Sequence, residues 1–470
     1  MEPPACPGCR ERDQRLAEHA ARIAALEQQV RRLTSALGRN ASNSSLPPSA
    51  NPPGAPPPVT KKPTGKRPGG QPGHPGHSRQ RLPAHRVDHV IPLVPSRCES
   101  CRAPLPARPG PADPPPSWHQ LAELPKVAAA VTEFQGHART CGRCGHLSRE
   151  PIPAEVKAHS IGPRLAAALS YLAGCRHVSR RGLEEIVEAV FGVPVSLGTV
   201  AALEQQMSQA LAPAYAEVAE AVRPAAVKHV DETGWKQAGG KRWLWAAVSA
   251  TATLFVVHLR RGAAGLRALL GEAILGVVCS DRWSAYQAVP LARRQVCWAH
   301  LVRDFQAMAD RAGGGGKVGE DLLFHAGMLF DLWYKVRDGT RRRRWLCRQV
   351  DEWLRPEVQA LLRRGAACRC ARTAGACQEI LKVEGALWTF ARVDGVEPTN
   401  NAAERALRPA VLWRKGSFGC HSEAGCRFVE RLLSVAQTLR QRGRPVLDYL
   451  SEALDAHRHG LPAPKLLPTG

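Results

Sequence analysis

The stretch Val227-Lys228-His229-Val230-Asp231-Glu232-Thr233-Gly234-Trp235 decides how this 470-residue chain is read. The apolar-leaning run from Ala225 to Val230 reads as a strand that delivers the Asp231 carboxylate to its exit. Two further runs, Arg242 to Val248 and Leu254 to Leu259, are β-branched and aromatic, and the short connection between them suits an antiparallel meander. A helix-like piece from Gly265 to Leu270 follows, then a fourth apolar run, Ile274 to Ser280, which ends on Asp281. A fifth run, Gln295 to Trp298, leads into a helix from about His300.

Three meandering strands, a helix, a strand, a helix and another strand are the order of a ribonuclease-H-like sheet. In that sheet an acid of the first strand and one after the fourth lie side by side. Two carboxylates held that close repel each other unless a divalent cation lies between them, so the pattern suits Mg2+ (or Mn2+) and two-metal phosphoryl transfer. Turn and cap positions are the other common home of such aspartates. A third carboxylate is expected from a helix far along the chain, and Pro398-Thr399-Asn400-Asn401-Ala402-Ala403-Glu404-Arg405-Ala406-Leu407-Arg408-Pro409 supplies a candidate. Asn400 or Asn401 would cap this helix, with Glu404 in its first turn and Arg405 and Arg408 available for phosphate. An ordinary ion pair of Glu404 with Arg408 is the competing reading. Pattern alone leaves Glu397, Glu404 and Glu423 open.

The runs His229 to Trp235, Ser280-Asp281-Arg282-Trp283-Ser284-Ala285-Tyr286, Cys297-Trp298-Ala299-His300 and Asn400 to Pro409, followed by Arg414-Lys415, resemble the transposases of insertion-sequence family 66. In that family the corresponding acids form the DDE catalytic triad, which the resemblance carries over to Asp231, Asp281 and Glu404. It implies Mg2+-dependent strand cleavage and strand transfer at the terminal inverted repeats of a bacterial insertion sequence. The family more often has an aspartate before the paired asparagines, where this chain has Thr399. The Cys297-x-x-His300 pair looks like the signature of transposases that carry a helical insertion, and is expected to shape the site without ligating its metal.

Lys and Arg number 65 against 41 Asp and Glu, giving a net charge of +24 and a pI near 10.0. A surplus of that size favours a polyanionic partner, nucleic acid first, although basic charge alone would also suit an anionic membrane; the resemblance implies terminal-repeat and target DNA. No run of eighteen apolar residues appears, and the Met1-Glu2-Pro3-Pro4 start lacks a charged, apolar leader, so a cytoplasmic, nucleoid-associated protein is expected. Fifteen cysteines, six of them in Cys-x-x-Cys pairs, fit metal binding in a reducing compartment better than a disulfide framework.

In chain order, residues 1–40 read as a coiled-coil zipper, with Leu16, Ile23, Leu26, Val30, Leu33 and Leu37 in heptad register, which predicts a homodimer or higher homo-oligomer. Before it stands Cys6-x-x-Cys9, too weak a signal alone. Residues 41–90 are a basic Pro/Gly-rich linker without a core, whose Lys61, Lys62, Lys66 and Arg67 suit phosphate contact. Within 91–152, Cys98, Cys101, Cys141 and Cys144 offer the four thiolates of a structural Zn2+ site. Residues 155–215 suit a helix-turn-helix: Ser179 caps one helix, Gly192 and Pro194 stop it, and Ser196 caps the next.

The catalytic core is expected over 220–300 and 396–450, interrupted by an α-helical insertion at 301–395 in which Gly313 to Gly316 form a flexible loop. Arg405, Arg408, Arg414 and Lys415 are the DNA contacts expected beside Glu404, and 451–470 is a tail, disordered from Leu461. The fold class is thus multidomain α/β: a ribonuclease-H-like core with a helical insertion, preceded by coiled coil, zinc module and helical domain. A DNA-binding regulator derived from a decayed transposase and a general nuclease are the competing functions. Companion proteins of the same element are possible partners.

Overall fold

A computed structural model describes residues 15–27, 29–30, 80–125, 127–311 and 313–468. The chain forms two compact units, Thr60–Ala130 and the remainder, Met1–Val59 with Val131–Gly470. In the smaller unit the Leu82 backbone exchanges two hydrogen bonds with the Gln120 amide, at 2.8 and 3.1 Å. There Cys98 to Cys101 form a tight turn: Arg102 N–H donates to Cys98 C=O and Cys98 N–H to Ala103 C=O, both at 2.9 Å.

The larger unit repeats that turn. Gly145 N–H donates to Cys141 C=O and Cys141 N–H to His146 C=O, again at 2.9 Å, at the tip of a hairpin of β1 (Ala138–Thr140) and β2 (Leu147–Arg149). Both turns place the residue after their second cysteine, Arg102 or Gly145, in the left-handed region. Residues 15–27 and 29–30 are helical and expose Leu16, Ile23, Leu26 and Val30. Leu33, Leu37, Cys6, Cys9, Lys61, Lys62, Lys66 and Arg67 lie outside the described residues.

A mixed α/β architecture follows. Strands β3 (Val227–Gln237), β4 (Gly240–Val248) and β5 (Thr253–His258) form an antiparallel meander, and β6 (Val277–Ser280) and β7 (Arg294–Val296) continue the sheet in parallel with β3. The spatial order is β5-β4-β3-β6-β7. Strand β3 is longer than its apolar run: Thr233, Gly234 and Trp235 keep pairing with Leu244, Trp243 and Arg242, so Asp231 lies inside the strand and not at its exit. Buried Lys228 closes the start of β3, its ammonium donating to the carbonyls of Arg223, Ala225 and Leu275.

Helices α1 (Pro163–Arg176), α2 (Arg180–Phe191), α3 (Leu197–Ala210) and α4 (Ala212–Val222) precede the sheet. Ser179 and Ser196 accept from Gly182 N–H and Thr199 N–H as the caps of α2 and α3. These helices do not stand apart as a module. Val200, Leu203 and Met207 of α3 enter the same apolar core as Val230 and Val278 of the sheet and Leu432 and Leu450 near the C-terminus. Helix α3 contains no Lys or Arg and Arg180 at the start of α2 is bound to Glu204 at 2.6 Å, while Arg176 and Arg181 beside it are exposed.

After α5 (Ala263–Leu270) and the two parallel strands, α6 (Trp298–Ala309) and α7 (Gly314–Arg337) open an inserted helical layer with α8 (Arg343–Gln349), α9 (Arg355–Ala366) and α10 (Ala371–Leu381). Its own core, from Leu301 to Phe390, joins the sheet through Val277, Cys279, Val296 and Trp298. The glycine run is not a loop here. Gly314 to Gly316 begin α7, and a Cβ at Gly316 would strike the Arg311 carbonyl of the connection from α6, while one at Gly319 would strike the backbone of α6 at Phe305, Met308 and Ala309, so glycine permits the close approach of α7 to both.

The chain returns to the sheet with α11 (Asn401–Ser417), α12 (Glu423–Gln441) and α13 (Val446–Arg458). The tail beyond is held, contrary to its composition. Glu217 accepts from the N–H groups of Leu466 and Leu467, Tyr449 donates to Pro464 C=O, Arg444 to Leu466 C=O, and Leu466 is fully buried.

Candidate active site

The parallel register assembles the site. The last β3–β6 pair is His229 with Cys279, and Asp231 and Asp281 each lie two residues beyond it. The last β6–β7 pair is Ser280 with Val296, so Asp281 and Cys297 each follow by one, and Cys297 N–H donates to Ser280 C=O at 2.8 Å. Asp231 within β3, and Asp281 and Cys297 just past the ends of β6 and β7, therefore stand in a row.

Helix α11 brings Glu404 to that row. Asn400, fully buried, donates its side-chain amide to Val230 C=O at 2.7 Å and its N–H to the Cys297 sulfur at 3.2 Å, while Trp298 N–H donates to Pro398 C=O at 2.8 Å. Asn400 stands at the cap position but makes no side-chain cap; its amide instead fixes Glu404 against the strand of Asp231. The sequence pattern offered no sign of that task, because its partner Val230 is remote along the chain.

Asp231 keeps some open surface, yet protein atoms crowd its carboxyl. Lost hydration first, then the neighbouring Glu232, Asp281 and Glu404, push its pKa well above the ordinary carboxylate value. The other two expected acids, Asp281 and Glu404, thus both act on Asp231. Asp281 is oriented by Trp283 N–H, which donates to its Oδ1 at 2.8 Å.

Glu232, on the opposite face of β3, was not singled out from sequence. Burial raises its pKa, while Tyr286 O–H at 2.5 Å and Arg261 at 2.8 Å stabilise its charge. The Arg261 guanidinium lies 4.0 Å from the Trp283 ring and 4.8 Å from that of Trp243, and its carbonyl accepts from the Trp283 indole. This stack links Glu232 to the residue that orients Asp281.

A family described as Transposase IS66 family matches residues 159–427, more than half of the 470-residue chain. The chain belongs to the IS66 family of transposases. Residues 7–80 match a second family, one of unknown function. A relative, the uncharacterized protein y4qI of Sinorhizobium fredii, is 29% identical over 206 residues, which cover 41% of this chain and 38% of that protein. The chain thus spans well under half the length of that relative.

The family is described as one of transposases, so a divalent ion is the group to test against these residues. The residues present fit such an ion: three carboxylates share one field, and Glu404 Oε1 is buried without a hydrogen-bond partner. Beside it His300 Nδ1 lies 3.7 Å away, also buried and unpartnered. Arg405, Arg408 and Lys415 are exposed on α11. Arg414 is not available in that way, because it turns inward to Thr233 Oγ1, at 3.1 Å, and to the Gly234 carbonyl. Among the described residues no helix is long and apolar enough to cross a membrane.

Proposed function

We propose that this chain cleaves DNA strands at the terminal inverted repeats of an insertion sequence and joins them to target DNA, with Asp231, Asp281 and Glu404 holding Mg2+ (or Mn2+). The observation that carries the reading is geometric: Asp231 and Asp281 each lie two residues beyond the His229–Cys279 pair of parallel strands, and the Asn400 amide fixes the start of the Glu404 helix to Val230 beside them. Burial first, then Glu232, Asp281 and Glu404, raise the Asp231 pKa, and a divalent cation would relieve the carboxylate part of that rise. The sheet order β5-β4-β3-β6-β7, with three antiparallel and then parallel strands, supports a ribonuclease-H-like core.

Divalent ions bound there would supply charge neutralisation for the attacked phosphate and the leaving oxygen. The chain's own part is placement. Trp283 N–H holds the Asp281 carboxylate in one orientation, and Asn400 keeps Glu404 against β3. Arg405 and Arg408, one face of α11 away, pair with backbone phosphates and hold the strand in register.

Two accessory parts belong to the same reading. The Cys98–Cys101 and Cys141–Cys144 turns each offer a pair of thiolates to structural Zn2+: N–H groups of Cys101 and Ser100, and of Arg143 and Cys144, point at the first sulfur of each pair and lower its pKa, which suits thiolates. The exposed Leu16, Ile23, Leu26 and Val30 stripe is the seam of a zipper with a second copy.

The deciding assay uses labelled DNA ending in the element's own repeats, with Mg2+ and the full chain. Wild type is expected to cleave and join, whereas Glu404→Gln binds the same DNA and does neither. Cleavage by Glu404→Gln at the wild-type rate would remove Glu404 from the metal site. Binding without cleavage by both proteins would favour a regulator.

A further inference from the structure

The geometry points to a second metal site in this molecule: Cys297, His300 and Glu404 form a binding site for a thiophilic divalent cation, of which Zn2+ is the representative. Their ligand atoms all lie within 4.8 Å of one another. Zinc bonds of about 2.0–2.3 Å in a tetrahedron separate the ligand atoms by roughly 3.3–3.7 Å. His300 Nδ1 and Glu404 Oε1 stand 3.7 Å apart, too far for a hydrogen bond and suited to two ligands of one ion. Both atoms are buried and lack a hydrogen-bond partner, a state that costs free energy unless something occupies the space between them.

Burial pushes the Cys297 thiol up to about 11, and N–H groups of Asn400, His300 and Ala299, which point at its sulfur at the start of α6, work against that rise. Two of these come from the second and third residues after the cysteine. The same spacing surrounds Cys98, with Ser100 and Cys101, and Cys141, with Arg143 and Cys144. Such donors stabilise a metal-bound thiolate. Cys297 is sealed from solvent, whereas the side chains of His300 and Glu404 are 18% and 32% exposed. An ion there would hold three protein ligands and one water, on the side that solvent reaches.

The donor set sorts metals. Mg2+ takes six oxygens in octahedral array, while a thiolate and an imidazole select Zn2+ or Co2+. Binding releases the Cys297 thiol proton to solvent and changes no oxidation state. Because Glu404 is common to both sites, a soft ion held by Cys297 and His300 draws its carboxylate away from the aspartates. That consequence, inhibition of Mg2+-supported cleavage by Zn2+, rests on the function proposed above; the site itself does not.

Full-length wild type, Cys297→Ser and His300→Asn are each loaded with Zn2+ or Co2+ in excess Mg2+, desalted, and measured for metal content, with melting curves as a check on folding. The remaining cysteines are common to all three. Wild type is expected to retain one more metal equivalent than either variant, and its Co2+ spectrum minus that of Cys297→Ser to show a thiolate charge-transfer band. Equal metal content and superposable Co2+ spectra in the three folded proteins overturn the site. These measurements need no DNA, so they stand or fall apart from the transposase assay. In that assay Zn2+ is expected to inhibit wild type at lower concentration than Cys297→Ser; equal inhibition would leave the site and remove its effect on catalysis.

Discussion

Asp231 lies within the field of Glu232, Asp281 and Glu404, and among the described residues Glu232 alone of the four pairs with an arginine. The folded chain therefore holds the Asp231 proton at pH values where the unfolded chain, near the ordinary value of 3.8, has lost it. The sign follows from linkage: this contribution to stability is present at low pH and is lost as pH rises from about 4 through the raised pKa. In metal-free buffer Asp231→Asn is expected to melt above wild type at neutral pH, with the gap closing on acidification. Added Mg2+ should raise the wild-type melting temperature and leave that of the variant nearly unchanged. Coincident melting curves at every pH would mean that the carboxylates do not strain one another.

At this scale the neighbouring placement of the two aspartates was legible, because each follows an apolar run that forms a strand, while their catalytic role belongs to the function proposed above. Glu404 was not, since nothing local separates a glutamate in the first turn of one helix from Glu397 or Glu423. Arg414 was misread for a related reason: a guanidinium near a helix end looks the same in sequence whether it meets water or turns in to Thr233.

The start of α7 shows how an element can invert its composition. Four consecutive glycines read as a loop, yet three of them begin a helix that lies so close to the connection from α6 that there is no room for a Cβ at Gly316. In an isolated helix Gly→Ala gains up to about 1 kcal/mol. Here the clash with the Arg311 carbonyl reverses the sign, and Gly316→Ala is expected to lose about 1–3 kcal/mol, read as a lower denaturant midpoint. A stabilised Gly316→Ala would show that this connection yields easily. The caps at Ser179 and Ser196 were readable because a cap is a local hydrogen bond. The destination of α3 was not, because its partners Leu432 and Leu450 come from the far end of the chain.

Across the whole larger unit, one core is built from three separated stretches, Ile161 to Val222, Val230 to Val289 and Phe428 to Leu466. The tail is its last piece, with Leu466 buried and Glu217 answering two of its N–H groups. Ending the chain at Gly460 strips those bonds and about one leucine's burial, an expected loss of roughly 3 kcal/mol. Thermal unfolding of the truncated chain tests this; an unaltered melting temperature would show that the tail rides on the core without holding it. Its proline and lysine content hid this role, since composition says nothing about an acceptor waiting on a helix elsewhere.

That three-part core also sets a timetable. A ribosome releases Asp231 and Asp281 well before Glu404, with the whole inserted layer made between them. Until α11 and α12 emerge, the sheet lacks both its third carboxylate and the helices that cover one face. On the function proposed above, a nascent chain that has not yet made α11 is therefore chemically silent, and competence arrives only when that helix reaches the sheet.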